Sequence, residues 1–442
     1  MWTACAHIIT AAIGAGVLSL AWAMSQLGWL AGISILLLFS MISLYTANLL
    51  ADCYRYPNPV TGRRNYSYME AVKAILGETK CLICGWIQYG NLTTFVIGYT
   101  ITTAKSLVAI QKSSCHRKNP NASCRFSNNP HMIGLGIVEI FLSQIPNFHK
   151  LSWLSTIAAL MSFAYASIGI GLSIQKMIYG REGTTSVIGV GIEADLSTSE
   201  KVWKMFTAAG AIAFACTYAQ IVVDIQDALK SSPSENKVMK KASIIGVSVM
   251  TTFFLMCSCF GYAAFGNHTP GNLLAGFGYQ EVSWVIDMAN LFIVIHLVGA
   301  YQVLAQPVFR VIETWATKKW PKSDFINTEY PIGIAKKKLK INLFRLFWRT
   351  GFVVIVTVVS LALPFFTDMI ALLGAVGYWP VVVYFPVEMH IVRNKIGKRT
   401  MRWFGLQCLS LLCFLISLAA ASGAIEGLIK NLHTYKPFMS KD

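Results

Sequence analysis

The sequence predicts an all-α polytopic membrane protein with eleven transmembrane helices, arranged as two inverted five-helix repeats plus one extra helix. Three observations carry this. The 442-residue chain is 55% hydrophobic and only 13% charged, against about 25% charged in soluble domains, with a mean hydropathy of +0.54. Apolar stretches recur from end to end, each close to the roughly 20 residues that cross a bilayer as a helix. Similar glycine-containing stretches open the first and the sixth of them. The stretches are apolar on every face, unlike the alternating strands of a β-barrel.

In chain order the spans read as 2–26, 28–52, 81–110, 131–148, 151–178, 203–228, 242–266, 283–309, 349–367, 369–392 and 403–430, the ninth and tenth divided around Pro364 to Asp368. The loops 53–80, 149–150, 229–241, 310–349 and 393–402 hold most of the 37 Lys and Arg. The positive-inside rule places such loops in the cytoplasm, so the N-terminus is expected inside and the C-terminus outside. The loop bearing Cys115, Asn121-Ala122-Ser123 and Cys124 then falls outside, where disulfides and N-glycans form. Cys115 and Cys124 are the disulfide candidates, and Asn121 is the glycosylation candidate.

Most other cysteines lie inside spans and read as small packing residues, as does Cys81-x-x-Cys84 at a helix start; no metal site is expected. No basic region precedes the first span, which argues against a cleavable signal peptide. Met1 opens almost directly into that span, from which a missing cytoplasmic N-terminal tail is expected. The net charge of +17 lies in short loops with no soluble basic–aromatic surface, so the lipid bilayer, not nucleic acid, is the expected partner. There is no P-loop, His-Glu-x-x-His or Gly-x-Ser-x-Gly motif, and no soluble domain to house an enzyme.

Residues 10–17, TAAIGAGV, match residues 207–214, TAAGAIAF. One copy opens the first five spans and the other opens the next five. Five is odd, so the second repeat (203–392) enters the membrane from the side opposite the first (1–178), with 403–430 outside the repeat. Paired interrupted segments of this kind mark secondary transporters. An unwound helix leaves amides and carbonyls that lipid cannot satisfy, so it survives only where it lines a protein cavity. Freed amides suit a carboxylate and freed carbonyls a cation, and a zwitterionic amino acid presents both groups on one carbon.

The stretches AHIITAAIGAGVLSLAWA, LADCYRYPNPVTGRRNYSYMEAV, LSQIPNFHKLSWLS, IQDALKSSPSENKVMKKAS, FGYAAFG, GAYQVLAQP and YFPVEMHI together resemble the plant amino acid permease family, within the amino acid/auxin permease group. The resemblance covers essentially the whole chain. It implies a proton-coupled amino acid importer of the plasma membrane, with a LeuT-like inverted-repeat fold. By that resemblance Ile13, Gly14, Ala15 and Gly16 bind the substrate's main-chain groups, with Gly210, Ala211, Ile212, Ala213 and Phe214 as their counterparts in the second break. Two residues depart from the family pattern. Ala211 stands where the family carries Asp or Asn, and Cys216 where it carries Tyr. Losing the acid favours neutral substrates over Lys or Arg. It also motivates a second reading, a transport-dead sensor or regulatory protein; a carrier of an auxin-like acid is a further alternative.

Ionisable groups inside spans are functional candidates by default. His7 lies two turns before the first break, about 10 Å away, and Asp287 lies in the outer turn of the eighth span; these are the proton-coupling candidates. His296 reads as a packing residue, Glu139 and Glu426 as weaker candidates, and Asp224 and Asp227 as partners for Lys230 or nearby basic residues. A proton is the expected coupling ion, with no cofactor, and the residues leave sodium coupling open.

Overall fold

The computed structural model describes residues 1–119, 123–145, 152–180, 183–189, 197–230, 232–277, 283–334 and 337–434. In chain order, α1 (Trp2–Ala12) is followed by a break and by α2 (Leu20–Cys53). Then come α3 (Tyr68–Leu76), α4 (Glu78–Lys118), α5 (Asn129–Ser143), α6 (Ser152–Tyr179), α7 (Thr198–Ala215), α8 (Val222–Asp227) and α9 (Glu235–Phe265). The chain continues through α10 (Ser283–Lys319), α11 (Asp324–Asn327), α12 (Leu343–Ala362), α13 (Phe366–Gly377), α14 (Phe385–Arg393) and α15 (Met401–Thr434). Among the described residues, nine helical segments are long and apolar enough to cross a membrane. α1, with 11 residues, and α5, with 15, fall short of the roughly 20 that a span needs.

Local chemistry sets several boundaries. Ser197 and Glu200 form a reciprocal capping box that starts α7, satisfying two orphan amides at once. Asn342 caps α12 through the Arg345 amide, 3.0 Å away. Between α13 and α14 the helix widens to π geometry over Tyr378–Tyr384, where Pro380 supplies no amide to the α-helical ladder.

The end of the first expected span runs on into the second as one helix, α2, bent at Gly28, whose φ of +79° lies in the left-handed region that glycine tolerates. A Cβ there would meet the Val187 carbonyl oxygen at 2.4 Å. That close approach lets Ser186 and Val187 accept from the Trp29 and Leu30 amides, at 3.3 and 3.2 Å, satisfying groups that the bend frees.

The expected all-α class holds for the spans but not for the connections. Two-stranded hairpins join Arg55–Tyr56 to Arg63–Arg64 and Glu329–Ile334 to Lys337–Asn342. Both lie between apolar segments. Cys115 and Cys124 form the expected disulfide, tying the end of α4 to the stretch before α5. Asn121 lies outside the described residues.

The interrupted segments occupy the middle of the bundle. In the apolar windows of Thr198–Asp227 and Phe366–Arg393, 83% and 78% of residues are buried, against 28% and 33% for α12 and α15. On α15, Leu411, Leu412, Leu415 and Leu418 are exposed, as a lipid-facing surface requires.

Candidate functional site

α1 stops at Ala12; Ile13 and Gly14 leave helical geometry before a 3-10 turn over Ala15–Ser19. The first amides of such a turn have no intrahelical acceptor. The Ile13 carbonyl accepts from the Tyr165 hydroxyl at 3.3 Å. The break therefore falls where the sequence placed it, and Ile13, Gly14, Ala15 and Gly16 are all buried. A Cβ on Gly16 would meet the Phe214 ring at 2.9 Å and the Ala215 Cα at 3.2 Å, so this glycine lets the first break approach the second. Gly14 differs: a Cβ there would stand 3.7 Å from the Tyr99 hydroxyl and 3.8 Å from His296 Nε2. Its backbone faces two polar groups.

The second break lies further along the chain than expected. α7 stays helical through Ala215, and the chain leaves the helix over Cys216–Tyr218, before a 3-10 turn at Ala219–Ile221 and α8. Gly210, Ala211, Ile212, Ala213 and Phe214 are thus helical, not unwound. The reason is a helix crossing: a Cβ on Gly210 would meet the Ala371 carbonyl oxygen at 2.6 Å, and one on Gly374 the Gly210 carbonyl oxygen at 2.0 Å. Small residues here admit the backbone of α13. Of the five, Phe214 comes nearest the site through its ring, which stacks on Phe95 at 4.7 Å.

α2 holds the unwound part. Ser43 Oγ donates to the Cys216 carbonyl at 3.0 Å, the Tyr218 hydroxyl donates to the Ser43 carbonyl at 3.4 Å, and the Cys216 thiol meets Ser40 Oγ at 3.7 Å. Ala211 and Cys216 are both 0% exposed, and neither lies in the wall of the central cavity. Ala211 and Cys216 are thus buried in packing, outside the cavity wall.

That cavity has a volume of about 220 Å³; the second break lines it, whereas Ile13, Gly14, Ala15 and Gly16 do not, although Tyr99 and His296, which stand beside Gly14, do. α4 contributes Phe95 and Tyr99, the second break contributes Thr217, Tyr218 and Gln220, and α10 contributes His296. Gln220 is 5% exposed, and among the described residues its buried Oε1 has no hydrogen-bond partner, an acceptor left open in the wall. His296 Nδ1 lies 2.9 Å from the Ala158 carbonyl and 3.0 Å from Ser162 Oγ. A carbonyl only accepts, so Nδ1 carries the proton, and Nε2 of the neutral ring is an acceptor near Gly14. Among the described residues no Asp or Glu lines the cavity, and Ala158, Ala300 and Val303 give it an apolar side.

His7 also lines this cavity and, with Ile225, a second one of about 820 Å³ that reaches Met1, Lys230 and Lys241. It therefore stands between the central cavity and the face of the bundle where those residues lie. Glu235 braces that same face. Only 1% of its side chain is exposed, and it takes Arg55 at 2.7 Å and Arg64 at 3.1 Å. The bonded carboxylate holds the Arg55 guanidinium above its usual range.

The other expected candidates lie apart from the cavity wall. Asp287 pairs with Arg117 at 3.0 Å. Glu139 is fully buried and accepts from Gln302 Nε2 at 2.7 Å. Asp227 accepts from the Tyr54 hydroxyl at 2.8 Å in place of the expected lysine. Sequence reasoning missed Phe95, Tyr99 and Gln220, and it read His296 as packing. The available signal was an aromatic pair four residues apart on an apolar helix, together with polar residues just beyond the small-residue run.

Comparison with known proteins shows the family and the fold. Residues 1–430 match the family described as transmembrane amino acid transporter protein. "Amino acid permease 8" of Arabidopsis thaliana is 54% identical over 443 residues, covering 100% of this chain and 93% of the relative. "Amino acid permease 1" of the same plant is 53% identical over 438 residues, covering 99% and 90%. Among solved structures, MhsT in complex with L-phenylalanine superposes with a TM-score of 0.57 at 10% identity, covering 95% of this chain and 98% of MhsT. Inward-facing Mhp1 gives 0.55 at 13% identity, covering 99% and 92%. At those identities the likeness shows the fold alone, and it is the LeuT-like class expected above. With a helix broken at Gly14, a second broken beyond Ala215 and relatives identical at about half of all positions, the chain belongs to the transmembrane amino acid transporter family.

Proposed function

We propose that this protein is a proton-coupled symporter that imports neutral amino acids across the plasma membrane by alternating access. In this reading eleven spans form two inverted five-helix repeats (1–178 and 203–392) and one added helix (403–430). The N-terminus is cytoplasmic, the C-terminus is extracellular and Asn121 carries an external glycan.

The observation that supports it best is His296 Nε2 beside Gly14 in a cavity that no Asp or Glu lines among the described residues. In the neutral ring Nε2 offers a lone pair, which disfavours a substrate carboxylate. Once protonated it becomes a donor and an imidazolium charge. The carboxylate then sits between that charge and the amides of the first break, while Gln220 Oε1 accepts from the substrate ammonium. Proton and substrate thus bind as a pair, and the apolar side takes an uncharged side chain. His7, at the passage to the second cavity, offers the next proton acceptor on the way in.

Voltage clamp of cells expressing the protein tests this. A neutral amino acid should evoke inward current that grows as external pH falls and persists when choline replaces sodium. Uptake indifferent to pH, or dependent on sodium, overturns proton coupling.

A further inference from the structure

A cavity of about 410 Å³ lies at the end of the bundle that bears the disulfide, lined in part by Arg125 and Asn128. On α4 it reaches Lys105, six residues beyond Tyr99, and on α10 it reaches Asn290, six residues before His296; each step is about 9 Å of helix. Val303 and Leu304 line the central cavity further along α10, so the two cavities follow one another along α4 and α10, with His296 in the wall of the central one.

The chemistry of this outer cavity is one-sided. Lys105, Lys112 and Arg125 line it, and among the described residues no Asp or Glu does. A cation on a membrane-spanning helix is costly and marks a functional position by default. Lys105 Nζ sits 5.6 Å from the centre of the Phe366 ring, and among the described residues it forms no ion pair. The acid whose field reaches it is Asp368, and that carboxylate already accepts from Asn431 Nδ2 at 2.7 Å and lies near Glu426. A concave wall of one sign focuses its potential and draws in opposite charge. Val108, Leu274 and Phe366 supply an apolar side, and the volume lies in the range of small-molecule sites, about 300–1,000 Å³.

We propose that this outer cavity is a carboxylate-docking site, in which Lys105 receives the carboxylate of an arriving amino acid before it passes to the central cavity. The inference rests on the transport reading above. If the wild type moves no amino acid, that reading fails; if it does, the variants below test the docking site separately.

Uptake kinetics at fixed pH and ionic strength provide the test. Lys105→Gln should raise KM for a neutral amino acid about tenfold with the maximal rate kept, the effect expected of one charge-assisted hydrogen bond. Lys105→Arg should restore KM. Asp368→Asn removes the competing acid and should lower KM, whereas a merely structural Lys105–Asp368 pair would make both neutral variants fail alike. Butyrate should compete with wild-type uptake and lose that effect in Lys105→Gln, with chloride at the same concentration inert. Unchanged KM in Lys105→Gln, the same defect in Asp368→Asn, or chloride matching butyrate overturns the proposal.

Discussion

The first break reaches the cavity only through Tyr99 and His296, which stand beside Gly14, whereas the second break puts its own side chains in the cavity wall. Gly14 brings its main chain against Tyr99 and His296. Past Ala215 the main chain is held by Ser43 of α2, and Thr217, Tyr218 and Gln220 face the space instead. The glycines that make the two segments look alike in sequence therefore do different work. Gly14 leaves room beside Tyr99 and His296; Gly210 allows a helix crossing. Each prediction below acts on one side of that contrast.

The largest effect falls on the crossing. A Cβ on Gly374 would meet the Gly210 carbonyl oxygen at 2.0 Å and the Phe214 amide nitrogen at 2.5 Å. Both are backbone atoms that no rotamer change can move. Gly374→Val should cost about 3 kcal/mol or more and lower the melting temperature or abolish the folded peak in detergent chromatography. A variant that melts with the wild type would show that α13 has slack against α7.

Next comes His296, the α10 residue that stands beside the first break. One proton moving with substrate across 100 mV supplies roughly 2.3 kcal/mol, or about 50-fold accumulation. His296→Gln keeps a polar side chain but no titratable ring. It should lose that concentrating power, leaving pH-independent exchange while the protein stays folded. Retained, pH-driven accumulation in proteoliposomes would move coupling elsewhere, with His7 the next position to test.

The backbone side is tested at Gly14. A single Cβ fits, since its nearest neighbours are 3.7 and 3.8 Å away, but the added methyls of valine would enter the space beside Tyr99 and His296. Gly14→Val should raise KM about tenfold, the cost of one weakened hydrogen bond to a charged group, with an unchanged melting temperature. An unchanged KM would place the substrate away from the first break.

These contrasts explain what the sequence could and could not disclose. Periodless apolar stretches of bilayer length revealed the spans, because lipid forces every backbone group to be satisfied within a helix. The break at Gly14 was legible because glycine and small residues sit mid-span there. The second was misplaced by several residues because Gly210 serves a tertiary contact, and a single sequence does not distinguish a glycine that unwinds a helix from one that admits a neighbour. His296 was undervalued for a related reason. The role proposed for it depends on Ala158 and Ser162 of another helix fixing the tautomer, and on Gly14 of a third lying opposite.

The smallest effect concerns Cys216, which together with Ala211 motivated the sensor alternative. Its side chain is fully buried against α2, with a weak contact to Ser40 at 3.7 Å. The group that anchors the break is its carbonyl, bound by Ser43, and that survives any substitution fitting the space. A thiol is a weak donor and acceptor, so Cys216→Ser removes little and gives Ser40 a better partner. Uptake should stay within about twofold of wild type, as for volume-conserving changes in a core, with the order of preferred amino acids unchanged. A changed order would mean that the thiol faces substrate in some state of the transport cycle, and the second break would then contribute more to selectivity than its contacts with α2 suggest.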